Sequence, residues 1–161
     1  MNDNELKQKA QKWKEEQRSR LLNYDKKRHL ELLNHQGDEY TYNSELEDCS
    51  IILINQLQWT LREEYLELLE DYKTNKITTS KFLGSFHNLM HSIEKAAKLL
   101  ESNKILLSPH EKSLDFALLL LEIEDCYAAY APDPDSYEIG EVEYRSIVEK
   151  TYLDIQNLLI N

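Results

Sequence analysis

The sequence predicts an all-α protein, an antiparallel four-helix bundle with an additional long amphipathic helix at its N-terminus. Composition and spacing both support this class. Gly and Pro number only three each in 161 residues, and 30% of the residues are charged. Apolar residues recur at steps of three and four over long stretches, whereas β-branched runs are too short for a sheet. We therefore expect five helices joined by brief turns.

The first predicted helix covers about residues 5–33, within a charged N-terminal arm formed by residues 1–36. Gln17 and Arg28 interrupt its apolar stripe, and charged residues surround the stripe. The stripe consists of Leu6, Ala10, Trp13, Leu21, Tyr24 and Leu32. Such a helix is stable only if another element covers that stripe. Gly37-Asp38 then breaks the chain, and a helical bundle is predicted over residues 44–161.

The second predicted helix follows an Asn or Ser cap and runs from about Glu45 to Tyr72. Its apolar positions are Leu53, Leu57, Leu61, Tyr65, Leu68 and Tyr72. Acidic residues occupy the opposite side, so this helix is predicted to face the core with one stripe. Trp59 falls off the stripe. It is expected either to make a second contact, for example with the first helix, or to be half exposed.

Thr78 or Thr79 is predicted to cap the third helix. Its buried face is predicted to be Phe82, Phe86, Leu89, Ile93, Ala97 and Leu100. His87, His91 and Glu94 share a different face. The four-residue spacing of the two His would suit a metal, but no HExxH or inward Glu-x-x-His arrangement is present. We therefore expect a solvated face, with no metal or other cofactor.

The fourth helix is predicted to begin at Ser108-Pro109-His110-Glu111, where a Ser cap, a Pro at the first helical position and a Glu three residues after the cap form a capping box. Its middle, residues 114–123, is apolar almost all round. Such a segment is typical of a helix enclosed by neighbours. The helix is predicted to continue to Tyr130.

The fifth helix is predicted to begin near Gly140 or Glu141. Its buried positions are predicted to be Tyr144, Ile147 or Val148, Thr151, Ile155 and Leu158. Acids near its first turn also suit the positive end of the helix dipole, which gives them a structural explanation as well as a functional one.

Charge is distributed unevenly along the chain. The net charge is −11, yet residues 1–36 carry nine bases against six acids, a net of +3, which leaves −14 for the remainder. Between Ser113 and Tyr144 there are nine carboxylates and no Lys or Arg. Direct nucleic-acid binding by the body is therefore not expected, because phosphate contacts require Lys and Arg. A positively charged protein partner is the complementary expectation.

The acidic stretch contains a stiff loop, Pro132-Asp133-Pro134-Asp135, followed by Tyr137 and Glu138. Proline fixes φ, so the loop carboxylates would lose less conformational entropy on contact than those of a flexible tail. Tyr127, Tyr130 and Tyr137 flank the acids. Aromatic anchors ringed by charge suit a protein interface.

Three segments of the chain resemble the colicin D immunity protein family. Residues 132–139 and 143–150 resemble its C-terminal signature, and residues 76–82 resemble the turn that opens an early helix. The resemblance spans about residues 65–153. It implies a small antiparallel helix bundle that blocks a basic, tRNA-cleaving toxin domain with acidic side chains. The N-terminal arm has no counterpart in that family.

The resemblance also implies which residues contact the partner. An Arg of the family is matched here by Arg145, which is expected to orient a neighbouring carboxylate such as Glu141. The implied partner-binding residues are Glu122, Glu124, Asp125, Asp133, Asp135, Tyr137, Glu138, Glu141, Glu143 and Arg145.

Other features of the sequence point away from catalysis, disulfides and membranes. Cys49 and Cys126 are far apart without CxxC spacing, so buried thiols in a reducing cytoplasm are expected. No catalytic triad order or glycine-rich phosphate loop occurs, and no enzymatic activity is expected. The longest apolar run, residues 116–121, is too short to span a bilayer.

Two functions therefore remain open at this point. The first is an immunity-type inhibitor that binds a basic ribonuclease toxin domain through its acidic surface. The second is a non-catalytic acidic adaptor or assembly subunit that docks on a larger complex, or on a second copy of itself, through residues 1–36. Trp13, Leu21 and Tyr24 would make that contact.

Overall fold

The computed structural model describes residues 2–35, 43–131 and 139–161, and within these ranges every regular element is a helix. The helices are α1 (Asp3–Leu22), α2 (Lys26–Asn34), α3 (Ser44–Thr60), α4 (Arg62–Lys73), α5 (Thr79–Ser102), α6 (Ser113–Ala129) and α7 (Glu141–Ile160). The predicted all-α class and helical bundle are confirmed.

Helices α3 to α7 form the bundle, with α3 and α4 sharing one side. α6 packs against α3 and α7, α7 packs against α4, and α5 packs against both α3 and α4. α6 and α7 run antiparallel. At one end Lys112 donates a hydrogen bond to the carbonyl oxygen of Leu158, and at the other the rings of Tyr130 and Tyr144 lie 5.3 Å apart. The backbones of α5 and α6 are less closely packed than these pairs.

The predicted continuous helix over residues 5–33 is wrong, because the chain leaves α1 after Leu22. Asp25 caps α2 by accepting a hydrogen bond from the backbone amide of Lys27. A side-chain oxygen at this position satisfies an amide that has no partner within the helix. The break also brings the Tyr24 hydroxyl to 2.8 Å from Nδ1 of His29.

The two helices of the arm differ in how they meet the bundle. α1 buries no residue, so the expected burial of its stripe does not occur, and Leu6 and Trp13 remain 52% and 43% exposed. α2 instead buries Leu32 and Leu33, which pack with Leu46 of α3 in a small second cluster. Each leucine contributes about 1.5–3 kcal/mol of transfer free energy. The arm is therefore attached to the bundle mainly through α2.

The second predicted helix, from about Glu45 to Tyr72, is divided at Leu61. Its predicted Asn cap is confirmed, since the Asn43 side chain accepts a hydrogen bond from the amide of Leu46. At the break, the Leu61 amide donates a hydrogen bond of 3.0 Å to the Leu57 carbonyl, and the carbonyl of Trp59 accepts one of 3.1 Å from the Arg62 guanidinium. The guanidinium replaces the helical amide that this carbonyl would otherwise have as its partner.

Trp59 is 8% exposed, so the predicted half exposure is wrong, and the alternative prediction of a second contact is correct. Its ring stacks on that of His110 at 4.5 Å and meets that of Phe116 edge-on at 5.8 Å. The backbone amide of His110 also donates a hydrogen bond to Oε1 of Gln56. These contacts hold His110 outside a helix.

The predicted capping box at Ser108 is therefore wrong, and α6 begins five residues later at Ser113. In contrast, the predicted Thr78 cap of α5 is confirmed by a hydrogen bond from the Lys81 amide to its hydroxyl oxygen. The predicted start of α7 after Gly140 is also confirmed.

Aromatic side chains occupy much of the bundle core. The rings of Tyr72 and Phe82 stack at 4.4 Å, and Tyr65 contacts both Phe86 and Phe116 edge-on. The predicted burial of Phe82 and Phe86 on α5 is confirmed. Other predicted core residues that are buried are Leu53, Leu57, Ile93, Ala97, Val148, Thr151 and Ile155.

Candidate functional site

The described acids of the predicted partner surface lie in three different environments. Glu122, Glu124 and Asp125 come from the C-terminal half of α6, whereas Glu141 and Glu143 come from the first turn of α7. Each environment places different groups around its carboxylates. They therefore differ in what they can bind.

The charges of Glu122, Asp125 and Glu143 all act on one side chain, the thiol of Cys126. Burial is the largest cause that raises the pKa of this thiol, and the charges of Asp125, Glu122 and Glu143 raise it further. All three acids are exposed, and within the described residues none of them forms an ion pair. We call these three acids the acidic face. Their negative charge is available to another molecule.

Glu141 is also exposed, but its carboxylate is bonded to other side chains of the same protein. Its Oε1 accepts a hydrogen bond of 2.7 Å from the Thr79 hydroxyl and lies 3.3 Å from Nη2 of Arg145. The Thr79 hydrogen bond is the main cause that lowers the pKa of this carboxyl, and the Arg145 hydrogen bond adds to it. The expected pairing of Arg145 with Glu141 is thus confirmed.

Arg145 is also engaged with the end of α4. Its guanidinium carbon lies 4.1 Å above the centre of the Tyr72 ring, and Nη1 donates to the Tyr72 carbonyl oxygen. A cation over an aromatic face is attracted by the ring quadrupole. The side chains of Glu141 and Arg145 therefore join α7 to α4 and α5. Their charges are largely satisfied by these internal contacts.

Glu124 lies on a different side of α6 and lines an open cleft between α5 and α6. Burial is the main cause that raises the pKa of its carboxyl; the charges of Asp125 and Glu94 raise it further, and His87 lowers it. The cleft has a volume of about 160 Å³. Its lining residues are Phe86, His87, Met90, His91, Glu94, Glu124 and Tyr127.

Two residues of α5 next to the core help to shape the cleft. Phe86 is 3% exposed, and the sulfur of Met90 accepts hydrogen bonds from the Tyr65 hydroxyl at 3.2 Å and from Nε2 of Gln58 at 3.3 Å. Two donors from other helices fix the thioether in place. This part of the cleft wall is therefore apolar, and contacts with α3 and α4 hold it in place.

Aromatic rings line other parts of the cleft. The rings of His87 and Tyr127 are nearly parallel, with centres 6.5 Å apart, and those of His87 and His91 meet edge-on at 4.6 Å. His91 Nδ1 lies 3.9 Å from the Glu94 carboxylate. His87 and His91 are exposed, as expected, but they also take part in this shared cleft.

The remaining predicted partner residues are Asp133, Asp135, Tyr137 and Glu138. They lie outside the residues that the structure describes. Their proposed role therefore stays a prediction. The described residues on either side, Ala131 and Ile139, are joined by a backbone hydrogen bond of 2.9 Å.

A second polar cluster joins the N-terminal arm to the bundle. The Tyr24 hydroxyl lies 2.8 Å from Nδ1 of His29, whose Nε2 lies 3.0 Å from the Glu101 carboxylate. Ser50 donates to the same carboxylate oxygen. The nearby thiol of Cys49 is not activated, because burial and surrounding acids raise its pKa. The arrangement suits a buried structural connection rather than a nucleophile.

The described residues contain neither a cluster of metal ligands nor a helix that could span a membrane. Within ranges 2–35, 43–131 and 139–161, no three or more His, Cys, Asp or Glu side chains are arranged to hold a metal ion. None of the described helices combines the length and the apolar character needed to cross a bilayer.

Comparison with known proteins gives no match. No protein-family model, no curated protein and no solved structure matches the chain. The cleft and the acidic face are therefore interpreted from their own geometry.

The cleft was not predicted from the sequence, although five of its residues were noted there. His87, His91 and Glu94 were placed together on one face of the helix that is now α5. Glu124 was among the predicted partner-binding residues, and Tyr127 was noted beside acidic residues. The cleft depends on the spacing of α5 and α6, which neither helix's own residue pattern specifies.

Proposed function

We propose that this chain is a non-catalytic inhibitor that binds a basic ribonuclease toxin domain through the acidic face. Glu122, Asp125 and Glu143 would contact cationic groups that the toxin uses to hold RNA phosphates. The loop residues Asp133, Asp135, Tyr137 and Glu138 would extend this contact, as the resemblance to the colicin D immunity family implies.

The observation that carries the proposal is the contrast between the acidic face and the neighbouring Glu141. Glu141 accepts hydrogen bonds from Thr79 and Arg145, whereas no described base pairs with the three acids of the face. Like charges close together raise the electrostatic energy of the isolated protein. A cationic partner would relieve that repulsion while forming charge-assisted hydrogen bonds.

The electrostatics would also favour rapid association. A ribonuclease must present Lys, Arg or His⁺ to its substrate, and a protein of net charge −11 is attracted to such a surface. Electrostatically steered pairs reach association rate constants of about 10⁸–10⁹ M⁻¹s⁻¹ at low salt. Such rates would allow an inhibitor to reach its toxin before RNA does.

The test asks first whether the reading frame next to this gene ends in a small, strongly basic domain, which is the partner that the proposal requires. The domain is incubated with RNA, and cleavage is measured with increasing amounts of the full chain. We expect inhibition that saturates near one equivalent. A Glu122→Lys, Asp125→Lys, Glu143→Lys variant should raise the concentration for half inhibition at least about tenfold, which corresponds to about 1.4 kcal/mol.

A matched variant, Glu67→Lys, Glu111→Lys, Glu149→Lys, makes the same change in net charge at three other exposed acids. It should inhibit nearly as well as the unmodified chain. Equal losses in both variants would contradict the proposed face, because they would show that only net charge matters. Undiminished RNA cleavage with excess unmodified chain would contradict the inhibitor function itself.

A second candidate function is supported by the exposure of α1. This helix buries no residue, and Leu6 and Trp13 remain exposed on it. An amphipathic helix of this kind can bind in the groove of a partner. The chain would then be an adaptor that docks on a larger complex, or on a second copy of itself, through α1.

Removal of residues 1–16 separates the two candidates. The truncation keeps Arg18 and Arg20, which pair with Asp115 and Asp48 at 2.9 and 3.4 Å. An inhibitor that works through the acidic face should retain its inhibition of the basic domain. An adaptor should lose its partner, or a self-associating chain should become monomeric in sedimentation velocity.

A further inference from the structure

The cleft between α5 and α6 combines carboxylates with aromatic and apolar surface. Glu94 of α5 and Glu124 of α6 both line it. Phe86 and Met90 supply apolar lining, and Tyr127 adds an aromatic ring that is 44% exposed. None of the lining residues is Lys or Arg. The chemistry of the cleft therefore favours a cation that also has an apolar or flat surface.

The electrostatics of Glu124 indicate which unfavourable interactions a bound cation would offset. Burial raises the pKa of this carboxyl, and the negative charges of Asp125 and Glu94 raise it further. Glu124 is nevertheless exposed as a whole residue, so its carboxylate is accessible to a ligand while the neighbouring acids repel its charge. A bound cation would supply the favourable interaction that these surroundings lack.

The size of the cleft matches a small planar group. Its volume is about 160 Å³, and a cavity of about 150 Å³ is large enough for benzene. A guanidinium group is smaller than benzene. The cleft therefore also has room, beside Phe86 and Met90, for part of the methylene chain that carries such a group in an arginine side chain. The group could contact the two carboxylates while its face lies against an aromatic ring.

We propose that this cleft binds the guanidinium group of an arginine side chain presented by the protein partner. The partner assignment rests on the proposed inhibitor function, but the chemistry of the cleft can be tested without that partner. Glu94 and Glu124 would accept hydrogen bonds from the guanidinium, and Tyr127 would stack against it. Tyr127 and Glu124 would thus extend the interface from the acidic face to the cleft.

Arginine suits this cleft better than lysine for two physical reasons. A guanidinium is planar and more weakly hydrated than an ammonium, so it loses less hydration free energy on entering an aromatic cleft. Its donors spread over a fork, which allows carboxylates from two different helices to accept hydrogen bonds at once.

The test is an NMR titration of the full chain at pH 8 with N-acetyl-arginine amide, followed through the ring protons of His87 and His91. We expect saturable shifts with a dissociation constant in the millimolar range, typical of a ligand this small. N-acetyl-citrulline amide has nearly the same shape without the charge and should bind at least about tenfold more weakly. N-acetyl-lysine amide should also bind more weakly than the arginine probe.

Two double variants with equal charge changes give the control. Glu94→Gln, Glu124→Gln should weaken binding of the arginine probe about tenfold or more, whereas Glu67→Gln, Glu149→Gln, at two exposed acids outside both the cleft and the acidic face, should change it less than about twofold. Equal losses would overturn the assignment, because they would show a general effect of negative charge. Equal binding of citrulline, or of lysine, would overturn the guanidinium assignment.

The outcomes separate this inference from the proposed function. If the chain inhibits the basic domain but shows no saturable shifts with the arginine probe, the cleft assignment is wrong and the inhibitor proposal survives. If the arginine probe binds as described but RNA cleavage is undiminished, the cleft binds guanidinium groups and the proposed partner is wrong.

Discussion

The imidazole of His29 and the carboxylate of Glu101 meet at 3.0 Å, although 72 positions separate them in the chain. His29 is fully buried and belongs to α2, whereas Glu101 lies in the last turn of α5. Tyr24 and Ser50 complete a polar cluster in which each side chain contacts another. This contact connects the N-terminal arm to the bundle.

Removing the Glu101 carboxylate should destabilise the protein. Glu101→Ala leaves the Nε2 position of His29 and the hydroxyl of Ser50 without their acceptor, which costs about 1–3 kcal/mol for a buried polar group. Urea unfolding followed by circular dichroism measures this change. Glu101→Gln should recover part of the loss, because its amide oxygen still accepts a hydrogen bond. Glu67→Ala, at an exposed acid on α4, should change the free energy of unfolding by less than about 0.5 kcal/mol.

The contacts of Glu141 predict a specific dependence of stability on pH. The pKa of Glu141 in the folded protein lies below its ordinary value of 4.5, chiefly because Thr79 donates a hydrogen bond to the carboxylate and secondly because Arg145 does. The folded state therefore favours the charged form more than the unfolded chain does. Its contribution is fully present above pH 4.5 and is lost as the pH falls through the lower pKa of the folded state.

This prediction is tested by comparing melting temperatures of the unmodified chain and Glu141→Gln between pH 7 and pH 3. The variant should melt at a lower temperature at pH 7, and the difference should shrink as the pH falls below 4.5. Glu143→Gln is the matched control, since it lies in the same first turn of α7 and interacts similarly with the helix dipole. An identical pH profile for both variants would show that the Thr79 and Arg145 contacts do not matter.

The three acids of the acidic face should slow the alkylation of Cys126. Burial and the charges of Asp125, Glu122 and Glu143 raise the pKa of its thiol, and only the thiolate reacts. In a Cys49→Ser background at pH 8, neutralising all three acids to amides should raise the rate with iodoacetamide about two- to fivefold.

The same measurement with Glu67, Glu111 and Glu149 neutralised provides the control for the alkylation experiment. That variant has the same net charge, so its rate should stay close to that of the Cys49→Ser chain. The rate increase should also diminish in 1 M salt, where the Debye length is about 3 Å. Equal rates in both triple variants would show that the charges of the acidic face do not specifically affect the Cys126 thiol.

Much of the bundle could be predicted because local rules and tertiary packing agree there. Thr78 caps α5 as expected, and the three- and four-residue spacing correctly places Phe82 and Ile93 in the core. The start of α6 could not be predicted in this way. The capping box at Ser108 is locally favourable, but His110 instead stacks on Trp59, a contact between residues 51 positions apart.

The separation of the acids could in part have been predicted from helix geometry. Successive residues of an α-helix are rotated by about 100°, so Glu122 and Asp125 lie near each other while Glu124 lies on a different side. The same argument separates Glu141 from Glu143. Helix geometry does not predict which side chains lie around each acid, because those side chains belong to neighbouring helices.

Removal of residues 1–16 should leave the stability of the bundle nearly unchanged. None of residues 2–16 is buried, and the exposed pairs Arg18–Asp115 and Arg20–Asp48 remain in the truncated chain. We expect the free energy of unfolding to change by less than about 1 kcal/mol. Urea unfolding of the truncated chain measures it.

The matched comparison for this truncation is a change in α2, the helix that carries the buried contacts of the arm. Leu32 is 6% exposed and packs with Leu33 and Leu46. Leu32→Ala should therefore lower the free energy of unfolding by about 2–4 kcal/mol, through lost apolar burial and the cavity left behind. A truncation that destabilises the chain as much as Leu32→Ala would contradict the division of the arm into an exposed α1 and a docked α2.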